Sequence, residues 1–198
     1  MVRFTAGEIR DIIISMFVIS LIFAYIFARR DLSNILIYMP ITFVVVGLGF
    51  VLHELAHKYV AIHYGYWAEY KMWLEGLIFA LILAFIAGFA FIAPGAVYIH
   101  GNYIKNSENG KISLSGPATN IVLTLLFLSI PMFFQNSLLV GIGILGATVN
   151  SFLAVFNLIP LGMFDGAKIF RWNPIIWLIA MAVALLLWIY TTFGISVI

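Results

Sequence analysis

The sequence predicts an all-α, polytopic membrane protein. It has about six hydrophobic segments, of which five cross the bilayer and the third re-enters or carries strands. Three observations lead there. Of 198 residues, 64% are hydrophobic and only 9% are charged, whereas a soluble domain carries about 25% charged residues. The mean hydropathy is +1.13. The apolar residues also gather into long runs, each close to the ~20 residues needed to cross ~30 Å of hydrocarbon. No long polar stretch remains to build a soluble domain, so residues 1–198 read as one integral membrane domain with its working core at about 35–170.

The runs follow in order. Residues 12–28 form the first, bounded by Asp11 and by Arg29-Arg30-Asp31. Residues 1–11 are polar and mixed in charge, with no small-residue cleavage site after the first run, so this segment is expected to stay in the mature protein. Residues 35–64 form the second run. Residues 74–99 form the third, interrupted by Pro94-Gly95. The fourth, 112–134, opens with Ser115-Gly116-Pro117-Ala118-Thr119-Asn120. The fifth, 138–160, is thinned by Gly141, Gly143, Gly146 and Ala147, which suits close helix packing in lipid. The sixth is 175–197. Tyr64, Tyr66, Trp67, Tyr70 and Trp73 read as an interfacial aromatic belt, and Lys58 is expected to snorkel towards the interface.

Charge placement selects the topology. If all six runs crossed, Arg3, Arg10, Lys58 and Lys71 would face Arg29, Arg30, Lys105, Lys111, Lys168 and Arg171 across the bilayer, with little bias. If the third run re-enters, Arg29 and Arg30 stand alone against the other eight cations. That is the asymmetry of the positive-inside rule. It places the ends of the second and fifth runs on one face, towards the cytoplasm, in a multi-pass protein of the cell membrane. A net charge of +2 offers nothing for nucleic acid. Cysteine is absent, which excludes disulfides and thiolate metal ligands.

The chemistry lies in His53-Glu54-Leu55-Ala56-His57, inside the second run. Two histidines at i and i+4 share one helical face and can offer two imidazole nitrogens to one zinc ion. The glutamate beside the first can reach a water on that metal. A catalytic zinc site has three protein ligands and an open position. Without cysteine, the third is drawn from His63, Glu69, Glu75, His100, Glu108 and Asp165. Asp165 follows the end of the fifth run directly. Gly162 and Gly166 flank it, and Pro160 disfavours helix continuation, so the chain could aim this carboxylate back into the bundle. His63 and His100 read as interfacial residues without a metal role. An ionisable residue at membrane depth is a functional hypothesis by default.

Three motifs stand in order: HELAH in the second run, GPATN at the head of the fourth, and NLIPLGMFDG at the end of the fifth. Together they resemble the site-2 protease family of intramembrane zinc metalloproteases, over roughly residues 53–166. The resemblance implies one zinc ion per chain held by His53, His57 and Asp165, with Glu54 as general base. It implies roles near the substrate or the oxyanion for Asn120 and Asn157. It further implies an endopeptidase that cuts a transmembrane protein substrate within or near its membrane segment, as in regulated intramembrane proteolysis. Because a helical peptide hides its carbonyls in its own hydrogen bonds, the substrate must unwind. The β-branched and aromatic run 91–99 is a candidate strand edge for it to pair with. The competing reading is an inactive metal-binding membrane scaffold or a metal transporter. Transport would call for several charged groups along a path, and outside this constellation the segments have almost none.

Overall fold

The structure is a computed structural model that describes residues 4–90, 94–101 and 103–194. Among the described residues, seven α-helices and one two-stranded sheet follow in chain order. These are α1 (Ala6–Phe27), α2 (Ile35–His63), β1 (Trp67–Met72), α3 (Leu74–Ala87), β2 (Gly95–His100), α4 (Asn106–Phe133), α5 (Ser137–Asn157), α6 (Asp165–Trp172) and α7 (Pro174–Ile189). Arg3 and the ends of the 91–99 and 175–197 runs lie partly outside the described residues.

Local sequence sets the helix ends. Thr5 caps α1 by accepting from the Glu8 amide, and Asn136 caps α5 through two amides. Asn173 caps α7 with Pro174 at its first turn, where a missing N–H costs nothing. α3 stops at Gly88, which takes a left-handed φ of 67°, and Arg30 donates to the orphan Ala87 carbonyl at 3.0 Å.

Among the described residues, five helices are long and apolar enough to cross a membrane, the last running on through the π-helical turn to Gly194, while α3 is a shorter apolar helix. Its 14 residues span roughly 21 Å at 1.5 Å per residue, short of the ~30 Å hydrocarbon core. The decisive feature is the pairing around it. β1 enters α3, β2 leaves it, and the two strands pair antiparallel from Trp67↔His100 to Met72↔Gly95. The chain thus returns to the level from which α3 departs. The third segment is both re-entrant and strand-containing, and the C-terminal ends of α2 and α5 fall at the same end of the bundle.

The core joins Ile19, Ile22 and Phe23 of α1, Val45, Val46 and Phe50 of α2, and Val149 and Leu153 of α5. Gly143 and Gly146 let α5 approach α4: an added Cβ would meet the Phe127 carbonyl and Pro131 at 2.9 Å, or the Phe127 ring. Large apolar side chains such as Ile13, Phe17, Leu125, Leu126, Leu178 and Leu186 are exposed on the outer helix faces. Exposed apolar side chains in this number suit lipid, not water.

Two expectations are corrected here. Lys58 does not snorkel; it is 1% exposed, and its Nζ donates to Glu8 at 2.5 and 2.6 Å. An inward-facing ammonium one residue past HELAH needs a buried counter-charge, which the first turn of α1 supplies. Tyr70 is likewise 1% exposed rather than part of a belt, with its hydroxyl 2.9 Å from Ser15 Oγ.

The first two turns of α1 close one edge of the sheet. The Tyr70 amide donates to Glu8 Oε1 at 3.0 Å, and the Met72 amide to Asp11 Oδ2 at 3.2 Å. Those amides therefore point away from β2. In an antiparallel ladder the direction alternates, so their partners Val97 and Gly95, and Ile99 by the same alternation, turn their backbone groups to the far side of β2. Among the described residues no strand pairs with that far edge.

Candidate metal centre

α2 brings His53 and His57 one above the other, their Nε2 atoms 3.0 Å apart. The loop between α5 and α6 delivers the third group. α5 ends at Asn157, Gly162 takes a left-handed φ of 54°, and α6 begins at Asp165. Gly166 makes the fold-back possible, because an added Cβ would lie 2.6 Å from the Ile159 carbonyl oxygen and closer still to the carbonyl of Leu158. The Trp177 indole donates to that Leu158 oxygen at 2.8 Å and ties α7 to the turn. Asp165 Oδ2 then stands 3.4 Å from His53 Nε2 and 3.0 Å from His57 Nε2.

His53, His57 and Asp165 form a group that could hold a metal ion. Two tests favour zinc. Bonds of ~2.0–2.1 Å to a tetrahedral ion place neighbouring ligand atoms about 3.3 Å apart, close to the separations observed. Both imidazoles also have their other nitrogen engaged. His53 Nδ1 lies 2.5 Å from Asn120 Oδ1 and His57 Nδ1 2.7 Å from the Ile112 carbonyl. Both acceptors fix a proton on Nδ1 and leave the Nε2 lone pairs facing the common point.

A cavity of about 100 Å³ opens on this point, lined by Glu54, Asn157, Phe164 and Lys168, and along one wall by Val97 and Ile99 of β2. Glu54 is buried, and its Oε2 has no hydrogen-bond partner among the described protein atoms. A buried carboxylate oxygen left without a protein partner beside a His/His/Asp set suits a water held between it and a metal.

The two asparagines take different places. Asn157 lines the cavity and uses one amide hydrogen on the Leu153 carbonyl at 2.9 Å, which leaves the other for a ligand. Asn120 is fully buried and, contrary to the sequence expectation, both its amide hydrogens are engaged. They bond the Gly49 carbonyl at 3.1 Å and Asn150 Oδ1 at 3.0 Å. Its carboxamide holds His53 and has no donor left for substrate. Of the other candidates, Glu69 accepts from Thr5 at 2.6 Å and Glu108 bonds the Tyr66 hydroxyl.

One chain of a Methanocaldococcus jannaschii protein, named provisionally as a zinc metalloprotease, is 47% identical over 178 residues, covering 89% of this chain and 90% of that protein. This chain belongs to that zinc metalloprotease family. A second protein of the same organism, named a zinc metalloprotease, is 26% identical over 169 residues, 83% of this chain but 43% of its own length. A provisionally named zinc metalloprotease of Bacillus subtilis is 28% identical over 150 residues, 66% of this chain and 68% of its own. No family-wide sequence profile matches the chain, and no solved structure matches it. The metalloprotease is thus a zinc protein with membrane-spanning helices.

Sequence reasoning missed two residues that shape the metalloprotease's centre. Asn150 holds Asn120 and donates to the Gly146 carbonyl at 2.9 Å; its signal was a carboxamide in the middle of an apolar run. Gly116, the glycine of GPATN, presses on the imidazoles: an added Cβ would lie 2.6 Å from His53 Nε2 and nearer still to His57 Nε2. Gly116→Ala should therefore fold but bind zinc about 10–100-fold more weakly, the range seen when groups around metal ligands are disturbed. Competition with a zinc-binding dye measures this.

Proposed function

We propose that this metalloprotease is an intramembrane endopeptidase of the site-2 protease type, hydrolysing a peptide bond within or near a membrane segment of another protein. The observation that supports it best is the position of the His/Glu/His/Asp cluster: inside a bundle of bilayer-length helices, beside the unpaired edge of β2. In this reading His53, His57 and Asp165 hold zinc, and residues 35–170 form the catalytic core of a single domain. Bound zinc supplies Lewis-acid polarisation of the scissile carbonyl and lowers the pKa of water to about 7.

The chain's own residues do the rest. Glu54 takes a proton from the attacking water and returns it to the leaving amine. Asn157 directs its remaining N–H to the oxygen that gains charge. Asn120, backed by Asn150, keeps His53 in its working tautomer and is a positioning residue. The open edge of β2 pairs with the unwound substrate, holding it extended over the cavity. The bias of cations supports a cavity mouth on the cytoplasmic side of the cell membrane.

The test is cleavage of a membrane-protein substrate by the protein in lipid vesicles. A chelator should abolish cleavage and stoichiometric zinc should restore it, with about one zinc per purified chain. Asp165→Ala should lose or loosen that zinc. Full metal content in Asp165→Ala would move the third ligand elsewhere. A metal-loaded wild type that cleaves no membrane substrate would favour the inactive scaffold.

A further inference from the structure

The two oxygens of Asp165 do not share an environment. Oδ2 faces the two imidazole Nε2 atoms at 3.0 and 3.4 Å. Oδ1 faces Lys168, whose Nζ donates to it at 3.4 Å. Lys168 sits one turn along α6, on the same face at i+3, and it lines the cavity. Gly166 seats α6 closely on the Leu158 carbonyl, whose oxygen an added Cβ would overlap. Ile169, just beyond Lys168, is fully buried and anchors the same turn.

A carboxylate can bind a divalent ion through one oxygen or through both. Binding through both would fill the position that a hydrolytic zinc site keeps open for water or substrate. From these placements we infer that Lys168 is a positioning residue that claims Oδ1 and restricts Asp165 to a single metal-directed oxygen. It thereby keeps the fourth position free. The inference rests on the zinc-site reading above. The hydrogen bond of Lys168 is to Asp165, at i+3 on the same helix.

The test uses full-length protein loaded with cobalt(II), whose visible absorption is strong in four-coordinate sites and weaker at higher coordination. Lys168→Met is expected to bind one cobalt per chain, with weakened absorption and turnover lowered about 10–100-fold. Lys168→Arg, which keeps a cationic donor, should restore both. Lys168→Leu, which also lacks a donor and is read by the same criteria, stands in should the methionine variant not fold. A wild-type spectrum in a folded, metal-loaded variant without the cation overturns the inference, as does full turnover. A wild-type cobalt spectrum that His57→Ala leaves unchanged would instead overturn the ligand assignment itself, and the role of Lys168 with it.

Discussion

Replacing Glu54 by glutamine will abolish peptide hydrolysis while zinc stays bound. Removing a positioned general base lowers turnover about 10²–10⁴-fold, and here no neighbouring carboxylate can take over. Asp165 is turned to the imidazoles, and Glu8 is bound up with Lys58. Glutamine keeps the shape of glutamate, so the buried site should not collapse. It also stands outside the His53, His57 and Asp165 group, so metal content should be that of wild type. Turnover in vesicles and zinc per chain, measured on one preparation, check both halves. Residual cleavage near the wild-type rate would remove Glu54 from the mechanism. Loss of zinc together with activity would make Glu54 a ligand instead.

The second large effect is expected at the sheet. Val97→Pro or Ile99→Pro should cut kcat/KM by at least about tenfold, the equivalent of ~1.4 kcal/mol or one to two backbone hydrogen bonds to the substrate. Proline has no N–H, and its ring crowds an incoming strand. These positions turn their backbone groups away from β1, as the Tyr70 and Met72 amides bonded to α1 require, and proline is tolerated on such an edge. Ala96→Pro is the control. Ala96 pairs with Lys71 in the alternating position, where its amide belongs to the ladder, so proline there should lower thermal stability. Equal cleavage by all three variants would remove strand pairing from the mechanism.

Much of this was legible in the residues alone. The zinc pair is an i, i+4 relation on one helix, and the crossings are runs of apolar residues; both are local patterns. The re-entrant third segment was legible too, from the partition of ten cations and from the strand-like residues before His100. Asn120 marks the limit. Its motif was visible, but its partners are 67 and 30 residues away. Only the fold shows that Gly49 and Asn150 take up both amide hydrogens expected to face the substrate, while the Asn120 oxygen holds His53. Lys58 is a similar case, since its counter-charge lies on another helix 50 residues earlier.

The sequence by itself determined the membrane class, the order of segments and the His53–Glu54–His57 core of the centre, because hydropathy and helical periodicity act between near neighbours. The tertiary structure decided which asparagine faces the cavity, which edge of the sheet stays open, and how Asp165 divides its two oxygens. Those depend on contacts between residues far apart in the chain, where burial and hydrogen-bond satisfaction choose among partners that no local pattern distinguishes.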